Sequence, residues 1–281
     1  MRTFKLIIKY IIVILLALSI IGLVGITILS STILKKDYVI DELEKADYYT
    51  KIFNEVESNF QNYIYQSGLD ESVIKDIVTI SKVREDTNNI IANLYNGMDT
   101  KIDTQDIQDK LNQNIKESLN GNITSAEKKS IDEFVKTIAD EYSKTIIHTE
   151  YESSINEMYV RAKKIVDLGK KVFAIAVAVL TFILLLLDIH RFHRFINKLG
   201  ISLLASGLFY MIVDIIVKAN VKIENIKILS EAISQVLTTS LLDVLGTLLN
   251  TGLILAFLGF VLIIITNIVI AIRHKKMEEE S

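Results

Sequence analysis

Cysteine is absent from the 281 residues, which removes disulfide staples, thiolate nucleophiles and cysteine-based zinc sites together. Proline is absent too and glycine occurs only 11 times, so little in the chain can interrupt a long helix and the expected fold class is all-α. Tryptophan is missing as well. The sequence holds no H-E-x-x-H, no G-x-S-x-G, no Walker loop and no Rossmann glycine fingerprint, so it reads as no enzyme, with no cofactor and no metal. Acid pairs such as Asp132-Glu133 and Asp140-Glu141 are adjacent on a helix and point to different faces, which suits solvation rather than catalysis.

What the chain does have is segregated hydrophobicity. Half of its residues are hydrophobic and 23% are charged, and the mean hydropathy is +0.37. Charge-free runs occupy Tyr10 to Leu34, Val172 to Leu187, Leu199 to Val213 and Val244 to Ile272. A helix of ~20 apolar residues matches a ~30 Å hydrocarbon core, so four membrane-spanning helices are expected. The two middle runs become full spans if Lys170 and Lys171 snorkel at one end and Asp214 enters the other. The reading is therefore a cytoplasmic segment 1–9, spans 10–34, 170–189, 199–217 and 246–272, a basic loop 190–198 and a tail 273–281. The first span is too long for a secretory signal and lacks an A-x-A site, so it reads as an uncleaved signal anchor.

Charge sets the orientation. Arg2, Lys5 and Lys9 precede the first span, Arg191, Arg194 and Lys198 sit between the second and third, and Arg273, Lys275 and Lys276 follow the fourth. Positive charge stays inside, so both termini are expected in the cytoplasm and residues 35–169 outside it. The stretch 37–167 carries 26 Asp and Glu against 15 Lys and Arg, a net of 15 − 26 = −11, which the whole-chain value of −3 conceals. An acidic exterior and small cytoplasmic segments exclude nucleic acid as a partner.

The external segment reads as a helical domain built on an antiparallel stalk. Ala46, Tyr49, Phe53, Val56, Phe60 and Tyr63 recur at three-and-four spacing, a coiled-coil type of seam ended by Ser67-Gly68. Shorter helices are expected from Asp70 to Val78, from Lys82 to Tyr95 before Asn96-Gly97, and from Thr104 to Leu119 before Asn120-Gly121. Thr124 to Glu127 forms a capping box for a helix whose stripe runs from Ile131 through Ile138 and Tyr142 to Ile155 and Ile165. The first and last external helices should continue the first and second spans. Residues 218–245 read as an amphipathic helix that either lies on the outer leaflet or docks on the stalk, with docking favoured because its polar face mixes both charge signs.

Few residues carry candidate chemistry. Asp214 lies within the third span and, with Asp243, would supply the carboxylates of an ion or proton site; the plainer reading pairs Asp214 with Lys218 one turn on. Asp188, His190 and His193 resemble a ligand set, but Arg191 and Arg194 repel cations, so Arg191, Arg194 and Lys198 read as contacts to anionic lipid. Gly252, Ala256 and Gly259 permit close helix contact, inside one chain or between copies in a homo-oligomer.

The stretch FNEVESNFQNYIYQSGLDESVIKDIV, with SKVREDTNNIIANLYNG after it, resembles the external region of uncharacterised multi-span membrane proteins of low-GC Gram-positive, clostridia-like bacteria. The resemblance covers residues 53–97 and implies a bacterial plasma membrane location without an activity. The layout is similar to bacterial chemoreceptor and kinase sensors, but the long cytoplasmic signalling helices are missing. The expected function is a sensor, scaffold or accessory subunit that meets membrane lipids and another envelope protein; the alternative is a transport or channel subunit using Asp214 and Asp243.

Overall fold

The computed structural model describes residues 2–119, 124–147, 152–221 and 230–279, and every regular element among them is helical. In chain order these are α1 (Arg2–Ser31), α2 (Lys36–Lys45), α3 (Tyr48–Ser67), a 3₁₀ turn (Glu71–Ile74), α4 (Ile80–Asn96), α5 (Gln105–Ser118), α6 (Ser125–Ile147), α7 (Glu152–Leu187), a second 3₁₀ turn (Ile189–Arg191), α8 (Phe192–Asn220) and α9 (Glu231–Glu279). They form two compact units. Residues 35–161 and 227–239 make a polar unit, and residues 1–34, 162–226 and 240–281 an apolar one.

The polar unit has a continuous core. Ile52, Val56 and Phe60 of α3 meet Ile107, Leu111 and Ile115 of α5 and Ile138 and Tyr142 of α6, all buried. These are the stripes that helical spacing selects. Gly68 (φ 72°) and Gly97 (φ 68°) end α3 and α4 in the left-handed region, where glycine has no steric cost. Thr79 caps α4 by accepting from the Lys82 amide at 3.2 Å, and the expected box at α6 forms, with Thr124 Oγ1 accepting from the Glu127 amide at 3.3 Å and Glu127 Oε2 accepting from the Thr124 amide at 2.7 Å. Asn114 Nδ2 donates to the carbonyls of Val73 (3.0 Å) and Lys75 (3.3 Å), fastening the extended 70s segment to α5.

Several expectations need correction. The helix expected from Asp70 to Val78 is only the single 3₁₀ turn, because Asp70 accepts from the Ser72 amide and Lys75 is extended. The first external helix does not continue the first span: α1 stops at Ser31, Lys35 is extended, and a further break at Asp47 (φ 51°) separates α2 from α3. The second span, by contrast, is one unbroken helix from Glu152 that passes through Gly169. The basic segment 190–198 is no loop, since α8 begins at Phe192. The amphipathic residues Glu224, Ile226, Lys227 and Leu229, the Asn120-Gly121 cap and His148 lie outside the described residues. Of the amphipathic segment, Lys218 to Asn220 complete α8, and from Glu231 the chain is already in α9, with Ala232 buried in the polar core and Ile233 and Val236 packed against it.

Among the described residues, four helices are long and apolar enough to cross a membrane: Leu6–Ser31, Glu157–Leu187, Ile189–Asn220 and Glu231–Arg273. Only 6% of the most apolar window of the second and 11% of that of the fourth is buried within the protein, so most of their surface needs an apolar solvent. Contacts within the apolar unit give the helix directions. Ser202 and Ser206 of α8 meet Val13 and Ala17 of α1, which makes these two helices parallel. Gly22 of α1 faces Phe173 of α7 while Ile26 faces Gly169, and Gly200 and Gly207 of α8 face Gly259 and Gly252 of α9, so both of these pairs are antiparallel. Alternating direction is what four successive crossings of one bilayer require.

Candidate functional site: the polar seam of the apolar unit

The most ordered polar chemistry lies on one face of α8. Lys198, Ser202, Ser206, Tyr210, Asp214 and Lys218 are each four residues apart, so they climb one side of the helix. Ser202 Oγ donates to the Val13 carbonyl at 3.1 Å, Ser206 Oγ donates to the Ala17 carbonyl at 3.0 Å, and Tyr210 OH donates to the Ile21 carbonyl. Both serines are completely buried and Tyr210 nearly so. A hydroxyl in hydrocarbon must find an acceptor, and spare carbonyl lone pairs of α1 are the acceptors within reach. The register of α1 against α8 is thereby fixed.

Each end of this seam is closed by a buried carboxylate. At the first end Asp188, whose side chain is 2% exposed, receives Lys9 on Oδ1 and Lys198 on Oδ2, and Lys9 Nζ also donates to the Leu187 carbonyl at 2.9 Å. Three segments are tied at one point: the start of α1, the end of α7 and the start of α8. At the other end Asp214 is 4% exposed, with Lys218 Nζ 2.8 Å from Oδ1 and donating to Oδ2 at 3.1 Å. This is the i, i+4 pair that the acid-before-base order implies.

The remaining candidates fall as follows. Arg191 and Arg194 are exposed at the Asp188 end, whereas Lys198, expected with them at lipid phosphate, is held on Asp188. His190 and His193 gather no metal-binding set among the described residues. Asp243 is half-buried on α9. Gly252, Ala256 and Gly259 lie against α8 of the same chain. A Cβ on Gly207 would stand 2.4 Å from the Ala256 nitrogen and 2.5 Å from the Gly252 carbonyl, and one on Gly259 would stand 2.4 Å from the Leu204 nitrogen. This face is used within the chain, the first of the two uses expected of it.

Sequence reasoning missed the Asp188 clasp and the continuity of the seam. The signal was present as a fourfold recurrence of polar residues inside an apolar helix.

The polar unit holds a second network. Tyr142 OH donates to Asp86 Oδ2 at 2.6 Å, and Lys82 reaches Asp86 at 3.1 Å and Asp106 at 3.4 Å. Burial, then the hydrogen bond and charge of Asp86, push the Tyr142 hydroxyl far above its ordinary range. For Lys82, partial burial opposes the charged form, but Asp86 and Asp106 outweigh it and the ammonium is held above its usual value. This cluster links α4, α5 and α6. On the surface between α5 and α6 an open cleft of about 840 Å³ is lined by Asp109, Asn112, Gln113, Lys116, Lys128 and Asp132, with Glu117 and Ile131.

Comparison with protein-family models, with curated proteins and with solved structures gives no match to this chain.

Proposed function

We propose that this chain is a non-enzymatic integral protein of a bacterial plasma membrane whose polar unit stands outside the cytoplasm and binds another envelope protein, as a sensor, scaffold or accessory subunit. The observation that carries this reading is the closure of the seam. Asp188 and Asp214, the buried carboxylates of the apolar unit among the described residues, are each neutralised by lysine, and the hydroxyls between them donate to backbone carbonyls. A transport pathway needs polar groups that are free to exchange partners. Here they hold helices in register, which suits an anchor for something displayed elsewhere.

Two further observations support the orientation and the partner. Lys9 and Lys198 meet at Asp188 beside Arg191 and Arg194, so basic residues collect at the end of the apolar unit where α1 begins, as the positive-inside rule asks of a cytoplasmic side. The polar unit offers a wide cleft with mixed charge and amide groups, a surface of the kind that a polar protein partner fits. The test is crosslinking and pull-down from intact cells with Lys116→Glu plus Lys128→Glu, which reverse the cleft's positive charge at exposed positions. Capture of an envelope protein by the parent chain and its loss in the variant, at equal membrane insertion, is the expected result. Retained capture overturns the cleft as the site, and protease on whole cells that spares the polar unit while removing the carboxyl tail overturns the orientation.

A further inference from the structure

The end of the apolar unit where α8 begins gathers more positive charge than it balances. Arg191 and Arg194 are exposed at the start of α8, and Arg273 is exposed on α9. The two helices cross at Gly200 and Gly259, where a Cβ on Gly200 would stand 2.9 Å from the Gly259 carbonyl oxygen. From that crossing α8 runs back 200 − 192 = 8 residues to its start, about 12 Å, and α9 runs on 273 − 259 = 14 residues to Arg273, about 21 Å. Arg273 therefore emerges just past the first turn of α8, within reach of a long side chain. His193, beside Arg194 and two residues from Arg191, lies in the electrostatic field of all three arginines, Arg273 first.

Among the described residues none of these arginines meets a carboxylate. Asp188, the acid beside them, holds Lys9 on one oxygen and Lys198 on the other. The described groups at this end thus set five cations against one carboxylate, 5 − 1 = +4 with histidine neutral. Like charges gathered at the edge of hydrocarbon repel one another with reduced screening, and an anion from outside the chain relieves that repulsion. We propose that Arg191, Arg194 and Arg273 together form a site for the phosphate headgroup of an anionic phospholipid.

The chemistry of the group fits phosphate. A guanidinium presents paired donors that match two phosphate oxygens, and arginines from two helix ends approach one headgroup from different directions. Ile189 and Phe192, next to these arginines, are 57% and 58% exposed and offer apolar surface to the first methylenes of an acyl chain, which inorganic phosphate lacks. Lys198, expected from the sequence to share this role, is held on Asp188, and Arg273 from the far end of the chain stands in its place. The inference holds whichever side of the membrane the polar unit occupies and whatever protein it binds.

The test uses the full chain in mixed micelles holding equal amounts of phosphatidylglycerol and phosphatidylcholine, with retained lipid read by native mass spectrometry. The parent chain is expected to retain phosphatidylglycerol over phosphatidylcholine by about tenfold, and Arg191→Gln combined with Arg273→Gln to bring the two near parity, each arginine near an anionic surface being worth about fivefold. Lys164→Gln combined with Lys171→Gln removes the same charge from exposed positions at the other end of the α7 span and should leave the preference in place. All four side chains are exposed, so both variants should fold, and circular dichroism checks their helix content. Equal retention of the two lipids by the parent, a preference that survives in the arginine variant, or an equal loss in the lysine variant each overturns the proposal. Displacement of the lipid by inorganic phosphate in about tenfold excess overturns it too, by assigning the site to a free anion.

Discussion

Substituting Gly207 by alanine adds one methyl group to α8, and its consequence follows from where that methyl would stand. The added Cβ lies 2.4 Å from the Ala256 nitrogen, 2.5 Å from the Gly252 carbonyl oxygen and 2.8 Å from the Ala256 Cα, all backbone atoms of α9. No rotamer change relieves a clash with backbone, so the two helices must separate by about 1 Å, and a gap of that size forfeits a quarter to a half of each dispersion contact along the interface. Overpacking of this kind costs about 1–3 kcal/mol, from which the better helix propensity of alanine returns up to ~1 kcal/mol. A net destabilisation of about 1 kcal/mol is expected. Gly246 on α9 is the matched control, because a Cβ there meets nothing within 4 Å; Gly246→Ala keeps the propensity gain without the clash. The two variants should differ by the overpacking cost alone, about 2 kcal/mol or roughly thirtyfold in the unfolding equilibrium, which reversible unfolding of the purified full chain in mixed micelles resolves. Equal stability of the two variants would refute the close α8–α9 approach and return Gly252, Ala256 and Gly259 to use between chains.

Three other outcomes follow from the geometry. Asp188→Asn leaves Lys9 and Lys198 facing each other without their counter-charge, and should destabilise the full chain by about 3 kcal/mol in the same assay, while Asp188→Asn combined with Lys9→Met recovers part of the loss. Tyr142→Phe removes the hydroxyl that donates to buried Asp86 and should cost about 1–2 kcal/mol, read as a lower thermal midpoint. Burial raises Tyr95 to about 12, and Tyr48 and Tyr142 further, while Lys82 is raised by its aspartates. Each folded-state value exceeds the unfolded one, so their contribution is complete below pH ~10 and is lost as pH rises toward about 12. The part of the tyrosinate absorbance that belongs to Tyr48, Tyr95 and Tyr142 should therefore appear in step with loss of helix rather than ahead of it.

Much of the fold was legible in the residues because its signals are local. Gly68 and Gly97 mark helix ends through their own backbone freedom, Thr124 and Glu127 announce a helix start by a reciprocal pair of hydrogen bonds, and Ile107, Leu111 and Ile115 reveal a buried face by spacing alone. The breaks at Lys35 and Asp47 were not legible. Neither residue is a helix breaker, and the chain turns there because Leu43, Ala46, Tyr48 and Tyr49 are all drawn into one core, a demand made by tertiary packing. In α7, Gly169 does not end the helix: it is a close-contact point against Ile26, and the helix runs on.

The site was harder to read than the fold because its members are distant in sequence and their roles depend on partners. Lys198 among arginines looks like one more positive charge for lipid phosphate until Asp188 is found buried beside it, with Lys9 arriving from the other end of the chain. A lone aspartate in an apolar helix raises the expectation of transport, but the decisive property is whether its charge is already satisfied. Asp188 and Asp214 are each neutralised by lysine, although Asp214 Oδ1 receives no hydrogen bond, and the fourfold stripe between them donates every mapped hydroxyl to α1 or to its own helix. The energetic logic is that polar groups unavoidable in hydrocarbon become specificity devices: a slip of α8 by one turn against α1 would take Tyr210 from the Ile21 carbonyl and Asp188 from Lys9. The seam thus fixes one arrangement of the helices, with its hydroxyls committed to backbone carbonyls and its carboxylates to lysines.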